Sequence, residues 1–259
     1  MDQRQRRQYL IEYLRREDST DASASLPSSS SEQKRLLRGL LNIREPKKVS
    51  PEFLRIQDSY LKEELKQRGI TRLSDLVPVR KDLYLWQGDI STLQADAIVN
   101  AANSGMTGCY YPNHKCIDNC IHTFAGVQLR YDCHKLIEAQ GFAEPVGQAK
   151  ITKAYNLPCR YVIHTVGPVV NGPLTDTHRE QLRSCYYSCL SIADLNFLNS
   201  LAFCCISTGE FHFPNEEAAR IATDTVFAYK KTTHSTIKVI FNVFKEEDLN
   251  LYQRLLEFH

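Results

Sequence analysis

The sequence predicts an α/β protein of three layers, with helices on both faces of a mostly parallel, mixed central sheet, carried behind a helical N-terminal extension. Six short apolar runs from Leu83 onward supply the strands: LYLW, DAIVNAA, AKITKAY, RYVIHTV, LAFCCIS and IKVIFNV. Amphipathic stretches long enough for helices separate most of them, notably HREQLRSCYYSCLSIADL and NEEAARIATDTVFAYKKT. Such alternation implies a parallel sheet covered on both faces. To about Val79 the apolar residues recur at helical spacing and strand signals are missing. Residues 1–79 therefore read as the extension and 80–259 as the α/β domain.

Within the extension, Tyr9, Leu10, Tyr13 and Leu14 form a short apolar stripe. DSTDASASLPSSSSEQ then interrupts it. Its Ser, Asp and Pro content has little to bury, so a mobile linker is expected near residues 18–31. The basic run KRLLRGLLNIR is a second helix, ended by Glu45-Pro46, because a residue before proline is pushed out of helical geometry. Ser50-Pro51 starts a third, with Ser as the capping acceptor and Pro at the first helical position. Phe53, Ile56, Tyr60, Leu61 and Leu65 follow at helical spacing, and Gly69 ends it.

A chain of 259 residues that is 42% hydrophobic and 24% charged can bury a core without covalent staples. Its net charge of +2 gives no reason to expect a nucleic-acid partner. The densest basic group, Arg4, Arg6, Arg7, Arg15 and Arg16, is interrupted by acids and reads as a solvated helix face. No apolar stretch approaches the length that crosses a bilayer, and the N-terminus lacks the apolar core and cleavage site of a secretory signal. Nine cysteines are an odd number, and Cys185, Cys189, Cys204 and Cys205 lie within apolar patterns. Buried small hydrophobes in a reducing cytoplasm account for these four better than a disulfide framework does.

Ligands of open α/β sheets sit beyond the carboxyl ends of the strands, which directs attention to three loops. In Gln87-Gly88-Asp89-Ile90, the glycine allows a sharp turn and the acid can accept from an amino group such as that of adenine, or can simply cap a short helix. In Ile206-Ser207-Thr208-Gly209-Glu210-Phe211, small residues before a helix start let backbone N–H groups close around a phosphate; a plain tight turn is the alternative. The third is Asn100-Ala101-Ala102-Asn103-Ser104-Gly105 and the stretch GCYYPNHKCIDNCIH after it. Its two asparagines offer amides to sugar hydroxyls. Cys109, His114 and Cys116 are the ligand types zinc prefers, and three of them leave a fourth position open. The spacing alone leaves a metal site and a cluster of unliganded residues equally open, with Cys120, His122, Cys133 and His134 as substitute ligands.

From Leu83 to the C-terminus, GDI, DAIVNAAN, IDNCIH, FAG, LPCRYVIHTVGP, CYYSCLSIA and ISTGEFHFPNEEAARIA occur in the order in which they resemble the macrodomain family. The glycine run that most members carry after the NAAN loop is replaced and lengthened here by CYYPNHKC. In this the chain looks like the zinc-containing branch of macrodomain hydrolases, which also has a helical N-terminal extension with an LLRxLLNIR-like helix. The resemblance implies that Asp89 binds the adenine amino group with the Ile90 backbone beside it, and that Asn103 holds the distal ribose. Asp118 matches the acid near the scissile bond, so Asp118 and Asn103 are the implied catalytic residues, with Cys116 and Ile117 also against the ligand. Ser207, Thr208, Gly209, Glu210 and Phe211 would line the diphosphate and distal ribose, mostly through backbone groups. Cys109, His114 and Cys116 would bind one zinc per chain. His212 stands where relatives commonly have Gly, which leaves the course of that loop open, and the motifs leave the adenine's stacking partner open, with Phe244 after the last strand as a candidate.

The activity implied is zinc-dependent hydrolysis of mono-ADP-ribose from modified proteins, joined as an ester to acidic side chains, in a soluble cytoplasmic enzyme. Its implied partners are ADP-ribose and an ADP-ribosylated protein, with no nucleic acid or membrane. Two other readings are a non-catalytic ADP-ribose-binding module and an esterase of small ADP-ribose esters such as O-acetyl-ADP-ribose. The residues themselves allow Asp118 to be a helix N-cap. His164, His122 and Trp86 read as core residues.

Overall fold

Hydrogen-bonding residues placed just before apolar-periodic runs set the helices of the extension. A computed structural model describes residues 1–17 and 25–258. It opens with α1 (Gln3–Glu17), α2 (Ser30–Ile43) and α3 (Pro51–Arg68). Ser29 Oγ accepts from Glu32 N at the start of α2, and Ser50 Oγ accepts from Phe53 N at 3.1 Å at the start of α3, with Pro51 in its first turn. Gly69, at φ +84°, stops α3. Leu10, Ile11 and Leu14 pack with Leu37, Leu41, Phe53, Ile56, Tyr60 and Leu61 into a core of their own, which Val127 joins. Of the Ser-rich stretch expected as a linker near 18–31, residues 18–24 lie outside the described residues, and its end from Ser30 belongs to α2.

The chain continues through β1 (Thr71–Arg72), β2 (Pro78–Arg80), β3 (Leu83–Gln87), β4 (Leu93–Gln94) and β5 (Ala97–Ala102). Next come α4 (Ile117–Ala125), α5 (Val127–Gln140), β6 (Ala149–Lys153), β7 (Tyr161–Val166) and α6 (Asp176–Leu195). The last elements are β8 (Ser200–Phe203), α7 (Asn215–Thr233), β9 (Lys238–Val243) and α8 (Glu246–Phe258). The main sheet has the order β2-β3-β9-β8-β5-β7-β6. Pairing is parallel throughout except at the two edges, where β2 lies antiparallel to β3 and β6 antiparallel to β7. The mixed, mostly parallel sheet read from the sequence is therefore present, and all six apolar runs are strands. The interior strands β5, β8 and β9 are buried along almost their whole length, as strands covered on both faces must be.

Two strands correct the purely helical reading of the first part. β1 pairs parallel with β4, and β2 begins at Pro78 on the sheet edge. At two and three residues they are too short to carry a period-2 pattern. Cys185, Cys189 and Cys204 are buried in the main core, whereas Cys205 is only partly buried. Among the described residues no helix is long and apolar enough to cross a membrane.

The extension is fastened to the sheet domain by polar contacts. Gln57 of α3 accepts from Val127 N at 3.0 Å and donates to Gln128 Oε1 at 2.7 Å. Asn42 of α2 donates to Thr123 Oγ1 at 2.9 Å. Arg130 of α5 donates to the carbonyls of Asn42 and Arg44, both at 2.6 Å, satisfying groups that the end of α2 leaves without helical partners.

Candidate active site

Because β5 runs parallel to its neighbours, its carboxyl end opens with those of β7 and β8 onto one edge of the sheet. Asn100, at its fourth position, is fully buried and donates through Nδ2 to Asp118 Oδ1 at 2.8 Å and to His164 Nδ1 at 3.1 Å. It lies behind Asp118 and offers no amide to a sugar, which corrects the expectation that both asparagines of this loop face a ligand. Asn103, just past the strand, is half-buried and donates to Asp118 Oδ2 at 3.3 Å and to Gly108 O at 3.0 Å. Both implied catalytic residues, Asn103 and Asp118, are thus in contact.

Asp118 is the second residue of α4 and only 5% exposed, so it is not the N-cap; Cys116 holds that position, without a side-chain capping bond. Burial pushes the Asp118 carboxyl up to about 6, against the opposing effects of Asn100 and Arg130. His122, one helical turn on, brings Nε2 to 3.5 Å from Asp118 Oδ1, yet neither of its ring nitrogens has a hydrogen-bond partner. His122 is therefore not the satisfied core histidine expected. His164 is one: Thr152 Oγ1 lies 2.9 Å from its Nε2, and burial lowers it to about 3. Burial likewise lowers His122 well below the usual imidazole range, so both rings are neutral.

The lengthened loop before α4 gathers Cys109, His114 and Cys116 so that one ligand atom from each lies within 4.8 Å of the others. Cys109 Sγ is 3.7 Å from His114 Nδ1. A tetrahedral site with ordinary zinc–sulfur and zinc–nitrogen bonds has an S···N edge of about 3.5 Å, so the donor set could hold such an ion. Burial, helped by Cys109 and Asp118, pushes the Cys116 thiol up to about 12, and a cation is what would let that thiol ionise. A second group, His122, Cys133 and His164, is also close enough together, but the bonds of His164 to Asn100 and Thr152 already occupy its ring nitrogens. Cys120 and His134 belong to neither group.

The loop after β8 faces this one. Ser207, Thr208, Gly209, Glu210 and Phe211 are held mainly by backbone bonds: His212 N to Gly209 O, Phe213 N to Ser207 O and Val170 N to Phe211 O, at 2.9–3.0 Å. Ser207 takes φ +66° and His212 φ +54°, so His212 adopts a conformation that favours glycine and the loop keeps its turn. Ser207 Oγ is buried without a partner. A Cβ on Gly167 would lie 2.0 Å from that oxygen and 2.9 Å from Ile206 Cγ2, so glycine is what allows the close approach. Glu210 Oε1 reaches to 3.5 Å from His114 Nε2, bringing the two loops together.

At the opposite end, Asp89 caps a 3₁₀ turn over Ile90–Thr92 by accepting from Ser91 N at 2.9 Å. The capping alternative is thus realised, and the side chain is still 42% exposed. Ile90 is buried, Ile117 partly buried, and Trp86 packs against the core. Phe244, just beyond β9 and beside β3, is 77% exposed. Sequence reasoning missed Asn119, Arg38, Gly167 and Arg68. Asn119 donates to the carbonyls of Cys109 and Tyr111, and Arg38 donates to His114 O at 2.7 Å and Asn119 Oδ1 at 3.0 Å. No signal local to the loops marks a residue 76 positions away.

Residues 99–222 match the Macro domain family. The chain is 55% identical to a protein-ADP-ribose hydrolase of Treponema medium over 99% of its own length and 100% of that protein's. It is 52% identical to a protein-ADP-ribose hydrolase of Staphylococcus aureus, over 96% of this chain and 94% of that one. It is also similar to a Trypanosoma brucei macrodomain solved in complex with ADP-ribose, with a TM-score of 0.64 and 29% identity, covering 88% of this chain and 96% of that one.

Proposed function

Because the chain belongs to the macrodomain family of protein-ADP-ribose hydrolases, we propose that residues 80–259 form a macrodomain that removes mono-ADP-ribose from acidic side chains, with one zinc ion per chain and a helical extension at residues 1–79. The observation that carries this reading is Asp118: a buried carboxyl held by two asparagines, two residues from Cys116 and its cluster of zinc-type donors.

Hydrolysis of the ester consumes one water and frees a carboxylic acid and ADP-ribose. With its carboxyl raised to about 6, Asp118 is basic enough near neutral pH to take a proton from that water, and Asn103 keeps it aimed at the ligand side. Ser207 through Phe211 offer backbone N–H groups and the unpartnered Ser207 hydroxyl to the diphosphate. Asp89 accepts from the adenine amino group, and the exposed Phe244 ring can stack on the base. Zinc held by Cys109, His114 and Cys116 would supply Lewis-acid polarisation of a ligand oxygen or a lowered pKa for water. The reading needs neither nucleic acid nor a membrane, and a cytoplasmic location suits thiol ligands that must stay reduced.

The test is hydrolysis of a protein ADP-ribosylated on acidic residues, with and without a zinc chelator. ADP-ribose is released, and chelation stops the release. Elemental analysis finds about one zinc per chain, lost when Cys109→Ser and Cys116→Ser are combined. Label retained on the substrate together with tight ADP-ribose binding would instead favour a binding module. Much faster cleavage of O-acetyl-ADP-ribose would favour a small-ester esterase.

A further inference from the structure

The last residue of α3, Arg68, reaches across from the extension to the adenine end of the cleft. Asp89 spends Oδ1 on Ser91, accepting from its N at 2.9 Å and its Oγ at 2.6 Å. Only Oδ2 remains for other work, and Arg68 Nη1 donates to it at 3.1 Å while also donating to Ser91 Oγ at 2.9 Å. The flat face of the same guanidinium lies 3.7 Å above the ring of Phe124, on the helix that carries Asp118. The side chain of Arg68 is 26% exposed, although the residue as a whole lies at the exposed end of α3, where Gly69 stops the helix directly after it. One side chain therefore joins three elements: α3, the 3₁₀ turn that Asp89 caps, and α4.

We propose that Arg68 is a positioning residue that fixes Asp89 Oδ2 for a 6-amino purine, so that the extension helps to set the base specificity of the macrodomain. The inference rests on the reading that this cleft binds ADP-ribose. A carboxylate oxygen has two lone pairs, and a guanidinium on one leaves the other free and orients it. Stacking on Phe124 restricts the guanidinium, so the carboxylate cannot swing with it. An amino group at position 6 of the base is a donor and gains from an oxygen held this way. An oxo group there is an acceptor and gains nothing. Lysine can restore the charge but not the planar stack.

Calorimetry with ADP-ribose and with inosine diphosphate ribose, which carries the 6-oxo base, tests this on the full chain. In Arg68→Met, ADP-ribose affinity falls about tenfold while affinity for the inosine analogue changes less than about twofold, and Arg68→Lys recovers part of the loss. In an Asp89→Ala background Arg68→Met has no further effect, because it acts through that carboxylate. In the hydrolysis assay the KM rises and the kcat is kept. Equal losses for both ligands, or losses from Arg68→Met and Asp89→Ala that add, would overturn the inference while leaving ADP-ribose binding in place. No binding of ADP-ribose by the unaltered chain would overturn the underlying reading, and the inference with it.

Discussion

The two loops that Glu210 and His114 bring together are held in opposite ways. The loop from Ser207 to Phe213 is closed by its own backbone bonds and one bond to Val170, and its unusual dihedrals fall on Ser207 and His212 within it. The loop from Gly108 to Cys116 has one backbone bond of its own, His114 N to Tyr111 O at 3.2 Å, and is otherwise held from outside. Asn42 accepts from Asn113 N at 2.9 Å, Arg38 grips His114 O, and Asn119 takes the carbonyls of Cys109 and Tyr111. Two of these three braces come from α2. A loop that closes on itself can be carried by any chain with its motif, whereas one braced from another element works only where that element is docked. The extension is therefore part of the half of the site that gathers Cys109, His114 and Cys116 and not of the half built on Ser207 to Phe213.

A single added methyl group can break each half separately. Gly108 sits at φ +85°, and a Cβ there would lie 2.8 Å from His122 Cγ and 2.9 Å from its Cδ2. His122 is buried and cannot move aside, so Gly108→Ala combines left-handed strain with overpacking. We expect the largest effect here: about 1–3 kcal/mol of stability from overpacking alone, read by thermal denaturation as roughly 2–4 °C per kcal/mol, with a sharp fall in zinc affinity. Gly167→Ala acts on the other half, through Ser207 Oγ and through Ile206 Cγ2 at 2.9 Å. The serine can rotate, but Ile206 is fully buried. ADP-ribose affinity is expected to fall about tenfold to a hundredfold, the equivalent of that overpacking cost, with zinc content unchanged. Loss of zinc in Gly167→Ala would show that the two loops behave as one unit.

The same contrast explains what could be read from the chain alone. The turn from Ser207 to Phe213 was readable as a turn because its physics is local: small residues after an apolar run and before a helix. The zinc-type donors were readable for the same reason, lying within eight positions of one another from Cys109 to Cys116. The role of Asn100 was not. Whether a strand residue faces ligand or interior depends on register, and Asn100 lies opposite His164 on β7, a partner the sequence does not announce. Asp118 was expected near the scissile bond, yet its burial inside α4 and its rise to about 6 follow from packing. Nothing near Arg38 or Arg68 in the sequence marks either as more than a residue of a helical run. Their roles arise only when α2 and α3 dock against α4.

Arg38 gives the finest probe of this dependence. Its guanidinium touches the carbonyl of His114 and the amide oxygen of Asn119, but none of the donor atoms of Cys109, His114 or Cys116. Groups behind a ligand shell commonly change metal affinity ten- to a hundredfold, and one acting on the backbone of a ligand belongs at the low end. Arg38→Met is therefore expected to weaken zinc binding about tenfold or less, measured by competition with a chromophoric chelator. ADP-ribose binding by the metal-free protein should stay the same, since the loop at Ser207 does not depend on α2. If zinc affinity were unchanged and ADP-ribose affinity fell, the brace would run to the wrong half of the site, and the division between the loops would have to be abandoned.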